Sequence, residues 1–283
     1  ASDVLSGELE VGKAVQAGGA FAAILTAISV IVENFEGLSR FAAGIERLNT
    51  FSLVLAAPPG HRPHGKNLIE SVEGATIALE NVTLLTPGGE RILIKDISLA
   101  IEAGRGLMIF GESGTGKSSL LRAIAGLWYR GSGRIVRPPA GDILFLPQQP
   151  YMILGSLRSQ LLYPNTAREV DDAELLNLLE RVRLPDVAER FGGLDAERDW
   201  EKVLSIGEQQ RLAFARVLLS KPRYVVLDEA TSALDPANEG RLYTELVAVG
   251  ATPVSVSHHE AIRGFHAEVL ELTGEGGWRL NRT

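Results

Sequence analysis

Residues Gly111–Ser118 read GESGTGKS, a complete Gly-x-x-x-x-Gly-Lys-Ser element, and no other stretch limits the fold so tightly. The apolar residues Leu107–Phe110 run into it and SSLLRAIAG follows it, so the spacing predicts a strand before the loop and a helix after it. That is the setting in which such a loop binds phosphate. Glycines let backbone N–H groups turn inward around phosphate oxygens, and the helix start adds its partial positive charge. Lys117 is expected to reach β- and γ-phosphate oxygens and the Ser118 hydroxyl to ligate Mg²⁺. The bland alternative, a glycine-rich turn with a chance Lys-Ser, would leave the flanking strand and helix as coincidence.

A second element, YVVLDEA at 224–230, reads as a buried strand that presents two adjacent carboxylates at its end. Asp228 is placed to hold a metal ion and Glu229 to take a proton from an attacking water. Two half-buried carboxylates are costly unless a cation sits beside them. Alone, Asp-Glu would read as a solvated acidic loop; behind an intact phosphate loop it points to the same site. Between the two lies LSIGEQQRLAFARVLL, from Leu204. Its Ser-x-Gly turn into a helix is another anion-binding device, using the Ser205 hydroxyl and the Gly207 N–H. One nucleotide is already served by the first loop, so the economical role for the second is a nucleotide on another copy of the chain.

The combination resembles the nucleotide-binding domain of ABC transporters over roughly Ala75–Thr283. GESGTGKS corresponds to Walker A, VVLDE to Walker B, LSIGEQQR to the ABC signature and SALD (Ser232–Asp235) to the D-loop. FLPQQP places Gln148 as the Q-loop glutamine, and SVSHHE places His258 as the switch histidine, with His259 as the alternative. All six elements occur in the family's order. The resemblance implies an α/β P-loop NTPase fold of ABC type, with a mainly parallel core sheet, an antiparallel β subdomain and a helical subdomain. It implies ATP and Mg²⁺ as ligands and a head-to-tail dimer that encloses two ATP molecules. Catalysis would fall to Glu229, His258, Lys117 and Gln148. Nucleotide contacts would come from Gly111, Glu112, Ser113, Gly114, Thr115, Gly116, Lys117, Ser118 and Ser119, and across the dimer from Ser205, Gly207, Glu208 and Asp235. Metal contacts would come from Ser118, Gln148 and Asp228. One departure stands out: the family stacks an aromatic residue on adenine, yet LENVTLLTPG places Leu85 or Thr86 at that position.

Outside the ATPase region the chain has a different texture. A mean hydropathy of +0.09 reads as an average over two unlike parts. Ala14–Val32 is uncharged for 19 residues, about 28 Å as a helix at 1.5 Å per residue, close to a hydrocarbon core of roughly 30 Å. The run ENFEGLSRFAAGIERLNTF continues it amphipathically, and AAPPGHRPHGKN breaks the periodicity. His61 and His64 there read as solvated loop, not as a metal pair. The expected organisation is a membrane helix with its cytosolic extension at 1–57, a linker at 58–74 and the ATP-binding domain at 75–283.

Several strings, among them VENFEGLSRFAAGIERLNTF, FLPQQPYM and DWEKVLSIGEQQRLAFARVLL, are similar to two transporter groups. These are the bacterial SbmA/BacA-like transporters of peptides and vitamin B12, and the peroxisomal fatty-acyl-CoA half-transporters. That branch implies a fused permease and ATPase in the bacterial inner membrane, multi-pass in the whole protein, with the ATPase on the cytoplasmic side. The partner would be a second, identical half-transporter, with membrane domain and lipid as further contacts. Alternatives are a soluble ABC ATPase subunit that pairs with a separate permease, and a mechanical ABC protein of DNA repair or translation. With 28 Lys plus Arg against 35 Asp plus Glu, a nucleic-acid partner is not expected. The absence of cysteine excludes disulfides and Cys-ligated metal sites.

Overall fold

In the computed structural model the described residues are 11–56 and 68–283. The chain divides into two compact units, Ala1–Gly65 and Lys66–Thr283.

The described part of the first unit is a single helix, α1 (Val11–Ala56), 46 residues long. Phe21, Ile24, Leu25 and Ile28 are exposed on it. Among the described residues no helix is long and apolar enough to cross a membrane; the expected span at 14–32 falls only in part among them. The side chains of Ala14, Ile31 and Val32, at the ends of that run, lie outside the described ones. His61, His64 and most of the expected linker also lie outside the described residues.

The second unit has two sheets. Its order is β1 (Glu70–Glu73), β2 (Ile77–Leu85), β3 (Ile92–Ile101), β4 (Leu107–Gly111), α2 (Lys117–Ile124), β5 (Gly131–Arg137) and β6 (Ile143–Leu146). Short helices α3 (Leu157–Leu162), α4 (Asp172–Arg181), α5 (Val187–Phe191) and α6 (Trp200–Val203) lead into the long α7 (Ile206–Ser220). Then come β7 (Tyr224–Asp228), α8 (Pro236–Ala248), β8 (Thr252–Val256), a 3₁₀ turn, β9 (Glu268–Gly274) and β10 (Gly277–Arg282). The larger sheet runs β10-β9-β4-β8-β7-β6 and the smaller one β1-β5-β2-β3. All pairings in the larger sheet are parallel except β9 with β10.

The core strands read as apolar runs because both faces of the sheet are covered. Successive side chains alternate between faces, so Met108, Val225 and Leu227 join one core with the helices α3–α8. Leu107, Ile109, Tyr224 and Val226 join the other, against α2 and the smaller sheet. One boundary differs from expectation. The linker was placed to residue 74, yet Glu70–Glu73 pairs in parallel with β5, Glu70 opposite Arg134, with the Arg134 Nε donating to Glu70 Oε2 at 3.0 Å. Neither strand carries a clean apolar alternation, since β1 is ESVE and β5 is GSGRIVR; β5 is held between β1 and β2, and β1 pairs with β5 alone.

Candidate active site

The strand order β4-β8-β7-β6 puts four chain segments in a row at the carboxyl ends of neighbouring parallel strands. The phosphate loop follows β4, His258 follows β8, Asp228 and Glu229 close β7, and Gln148 follows β6. Ligands of open parallel sheets bind at that edge.

The phosphate loop is shaped by glycine where no other residue would serve. Gly111 has φ +145°, and a Cβ there would stand 2.4 Å from the Leu272 carbonyl oxygen; Gly116 has φ +103°, and its Cβ would meet the Leu93 Cβ at 3.1 Å. Gly116 is the N-cap of α2, in the left-handed conformation and without a side-chain cap. The first N–H groups of the helix are thus left for a ligand. Lys117 is buried, and its Nζ donates to the carbonyls of Gly111 at 2.7 Å and Glu112 at 2.9 Å. An ammonium group has three donors, so one remains for an incoming oxygen. Thr115 is spent inside the loop, its hydroxyl donating to the Glu112 carbonyl.

An open cleft of about 220 Å³ is lined by Ser113, Gly114, Gly116, Lys117, Ser118 and Ser119 from the loop, with Leu93 and Glu229 completing it. A larger cavity of about 650 Å³ lies elsewhere, beside Phe145, Arg137 and Tyr163. It holds none of the expected catalytic, nucleotide or metal residues, and the chemistry belongs to the smaller cleft. Ser118 Oγ donates to Asp228 Oδ1 at 3.0 Å. Burial pushes the Asp228 carboxyl above its ordinary range, and the Ser118 hydroxyl, Arg122 and Lys117 offset this only in part, against the added push of Glu229. A divalent cation at this oxygen would reverse that penalty. Among the described residues no cluster of three His, Asp or Glu is arranged to hold a metal. A Mg²⁺ ion in a nucleotide site takes one or two protein oxygens and fills its octahedron with phosphate and water.

Glu229 sits at φ +50°, a sparsely populated conformation for a side-chain-bearing residue that costs about 1–3 kcal/mol and is retained where the surroundings over-determine it. Its N–H donates to the Val256 carbonyl at 3.1 Å. The His258 Nε2 lies 3.7 Å from Glu229 Oε1. His259 turns the other way, its Nδ1 2.9 Å from Glu239 Oε2. Of the two adjacent histidines, His258 is therefore the one beside the acidic pair.

Other expected site residues are engaged otherwise. Gln148 is exposed, and its carbonyl accepts from Gln210 Nε2 at 2.9 Å; among the described residues no hydrogen bond joins its side chain to Ser118 or Asp228. Ser205 caps α7 in a reciprocal box with Glu208: Ser205 Oγ accepts from the Glu208 N–H, and Glu208 Oε2 accepts from the Ser205 N–H at 2.8 Å. Burial alone would raise the Glu208 carboxyl; Arg190 and the two Ser205 donors outweigh it and hold the group below its usual range. Gly207 approaches the Ala233 carbonyl, leaving 3.2 Å for a Cβ. Asp235 is the N-cap of α8 and accepts from the N–H groups of Ala237 and Asn238. At the base-stacking position, Thr86 closes a hairpin instead, its N–H donating to the Arg91 carbonyl and its hydroxyl accepting from the Arg91 N–H.

Several supporting residues were not singled out by motif. Gln210 and Arg216, on the buried face of α7, fasten the loop after β6. Arg216 donates to the Tyr151 carbonyl at 2.8 Å and to the Gln160 carbonyl at 2.7 Å. Burial pulls its guanidinium down to about 10. The signal was present in LSIGEQQRLAFAR, where two long polar side chains fall on the apolar face of a helix.

Residues 94–232 match the family model described as ABC transporter. The chain is 51% identical, over 98% of its length, to an uncharacterised ABC transporter ATP-binding protein of Synechocystis, of which it covers 43%. It is 35% identical, over 97% of its length, to ABC transporter D family member 2, chloroplastic, of Arabidopsis thaliana, covering 49% of that protein. It is 44% identical, over 72% of its length, to the lysosomal cobalamin transporter of Homo sapiens, covering 35% of that one. The chain thus spans a third to a half of the length of these relatives. A bacterial Atm1-family ABC exporter with ATP bound superposes with a TM-score of 0.65 at 25% identity, over 82% of this chain and 42% of that one.

Proposed function

The chain belongs to the ABC transporter family as its ATP-binding domain, and we propose that it binds ATP with Mg²⁺ and hydrolyses it to drive a membrane transporter. The observation that carries this is the convergence on one cleft of an uncapped helix start, a buried lysine, the Ser118–Asp228 pair and the Glu229–His258 pair.

In this reading the loop N–H groups and Lys117 hold the β- and γ-phosphates, and Leu93 walls the cleft opposite Glu229. Ser118 and Asp228 supply protein oxygens to the metal, and Gln148 joins them when its loop closes. Mg²⁺ supplies charge neutralisation on the phosphate oxygens. Glu229 accepts the proton of the attacking water, and His258 donates toward the γ-phosphate from the far side of the carboxylate. The catalytic step needs little more than such placement, because phosphoryl transfer is largely positioning and electrostatic stabilisation.

Ser205, Gly207, Glu208 and Asp235 serve the nucleotide of a second, identical copy packed head to tail. Support comes from the sequence order and from the exposure of Ser205 and Asp235. Residues 1–57 belong to the membrane-domain side of the whole protein and 75–283 to the ATPase, which works on the cytoplasmic face of a bacterial inner membrane. Cargo of the peptide, cobalamin or acyl-CoA kind follows from the relatives' names and from the branch the strings resemble. Glu229→Gln tests the core of this reading. Turnover should fall by about 10²–10⁴, the usual contribution of a general base, while ATP binding persists and an ATP-bound dimer accumulates. Undiminished hydrolysis in that variant would remove Glu229 from its role.

A further inference from the structure

Glu239 is fully buried in the first turn of α8, and its two oxygens are divided between two loops. The Thr231 hydroxyl donates to Oε1 at 2.5 Å, and His259 Nδ1 lies 2.9 Å from Oε2. Thr231 is two residues beyond Glu229, and His259 is one residue beyond His258. Among the described residues no arginine or lysine reaches this carboxylate, and its one ion-pair partner is His259.

We propose that Glu239 is a positioning residue for hydrolysis: one buried carboxylate clamps the loop bearing Glu229 to the loop bearing His258 and sets their 3.7 Å separation. This rests on the ATPase reading above. The clamp is effective because each loop is also pinned on its other side. Ser257 N–H donates to the Ile109 carbonyl, Glu229 N–H to the Val256 carbonyl and His259 N–H to Ser257 Oγ. His258 therefore projects from a segment held at both ends. The same helix start carries Asp235 as its cap, so a displacement at Asp235 reaches the base and the histidine through Glu239 together.

The test uses the assembled dimer at saturating Mg²⁺-ATP, with bound ATP measured first and the hydrolysis rate per bound ATP second. In Glu239→Gln and His259→Ala, ATP affinity should stay within about twofold while the rate falls about tenfold or more, the split that marks loss of transition-state placement. His259→Arg, which again offers N–H donors to the carboxyl oxygens, should recover most of the rate. Should Glu239→Gln fail to fold, the half-exposed His259 variants decide. A rate per bound ATP within about twofold of the unsubstituted protein in His259→Ala, or parallel loss of binding and rate without rescue by arginine, overturns the clamp. An unsubstituted dimer that fails to bind or hydrolyse ATP overturns the ATPase reading itself, a different result from normal turnover in His259→Ala.

Discussion

Two helix starts in this chain have the sequence of an anion site, and they are built in opposite ways. At α2 the cap position is a left-handed glycine with no side chain to satisfy the helix, and the nearby lysine rests on carbonyls. At α7 the cap is a complete box of Ser205 and Glu208, locked further by Arg190 on the other Glu208 oxygen. The first start has no side-chain cap of its own; in the second the Ser205 and Glu208 N–H groups are already satisfied within the chain. The carboxylates show the same contrast, since Asp228 beside α2 is pushed up by burial while Glu208 at α7 is held down by its donors. A helix N-terminus is thus an anion site only in proportion to how little of it the chain has already satisfied.

Several substitutions would break or sharpen that contrast. The largest effect is expected from Lys117→Ala, which removes charge-assisted hydrogen bonds worth about 1.5–3 kcal/mol each, and should weaken ATP binding by about a hundredfold in a titration. Unchanged affinity would mean that α2 does not face the phosphates. Gly116→Ala comes next. It forces a Cβ into a left-handed position, at about 1–2 kcal/mol, and against Leu93, so ATP affinity should fall about tenfold.

Ser205→Ala is the matching change at α7. It should cost about 1 kcal/mol of folding stability through the lost cap, seen as a lower urea midpoint. ATP affinity of a single copy should not change, whereas hydrolysis, which draws on the partner's α7 in the proposed dimer, should. A drop in single-copy affinity would place Ser205 at its own chain's nucleotide.

The smallest effect is the pH response. Glu208 has a lowered carboxyl, so its contribution is present above the unfolded-state value and is lost only as the pH falls through the still lower folded one. Asp228 has a raised carboxyl, so it takes up a proton earlier on acidification. Mg²⁺-ATP affinity should therefore decline at a higher pH than the one at which the α7 cap loosens. Calorimetric binding alongside helix-sensitive unfolding, from neutral pH to below the ordinary carboxylate range, would show whether the two transitions separate in that order.

Much of the fold was legible because its core strands are apolar runs bounded by glycine and acidic residues. TIALENVTLL, ILIKDISLAI, GLMIFG and YVVLDE each appear as a strand within a residue or so of the expected place. β1 and β5 were not legible, since ESVE and GSGRIVR acquire their strand geometry from tertiary pairing, β1 on β5 and β5 on both β1 and β2. The short helices α3, α5 and α6 span too few turns for a 3.6-residue period to declare itself. In the site, Lys117, Ser118, Asp228 and Glu229 were identifiable because each falls in a short motif at the carboxyl end of an apolar strand, and His258 through the family resemblance of SVSHHE. Gln210, Arg216 and Glu239 were not, because they act through backbone carbonyls and loops distant in sequence.

The amino-acid order determined which groups can exist here: a phosphate loop, a carboxylate pair, a second helix start and a histidine doublet, each a local pattern of a few residues. Tertiary structure decided which of them meet. Strand order β4-β8-β7-β6 brings the loop, His258 and the acidic pair to one edge. The buried Glu239 turns His259 inward and leaves His258 facing Glu229. The capping box closes one helix start while the glycine leaves the other open. The first two outcomes depend on burial and on contacts between distant segments that no short window of sequence holds together, whereas the box of Ser205 with Glu208 and the glycine cap are local.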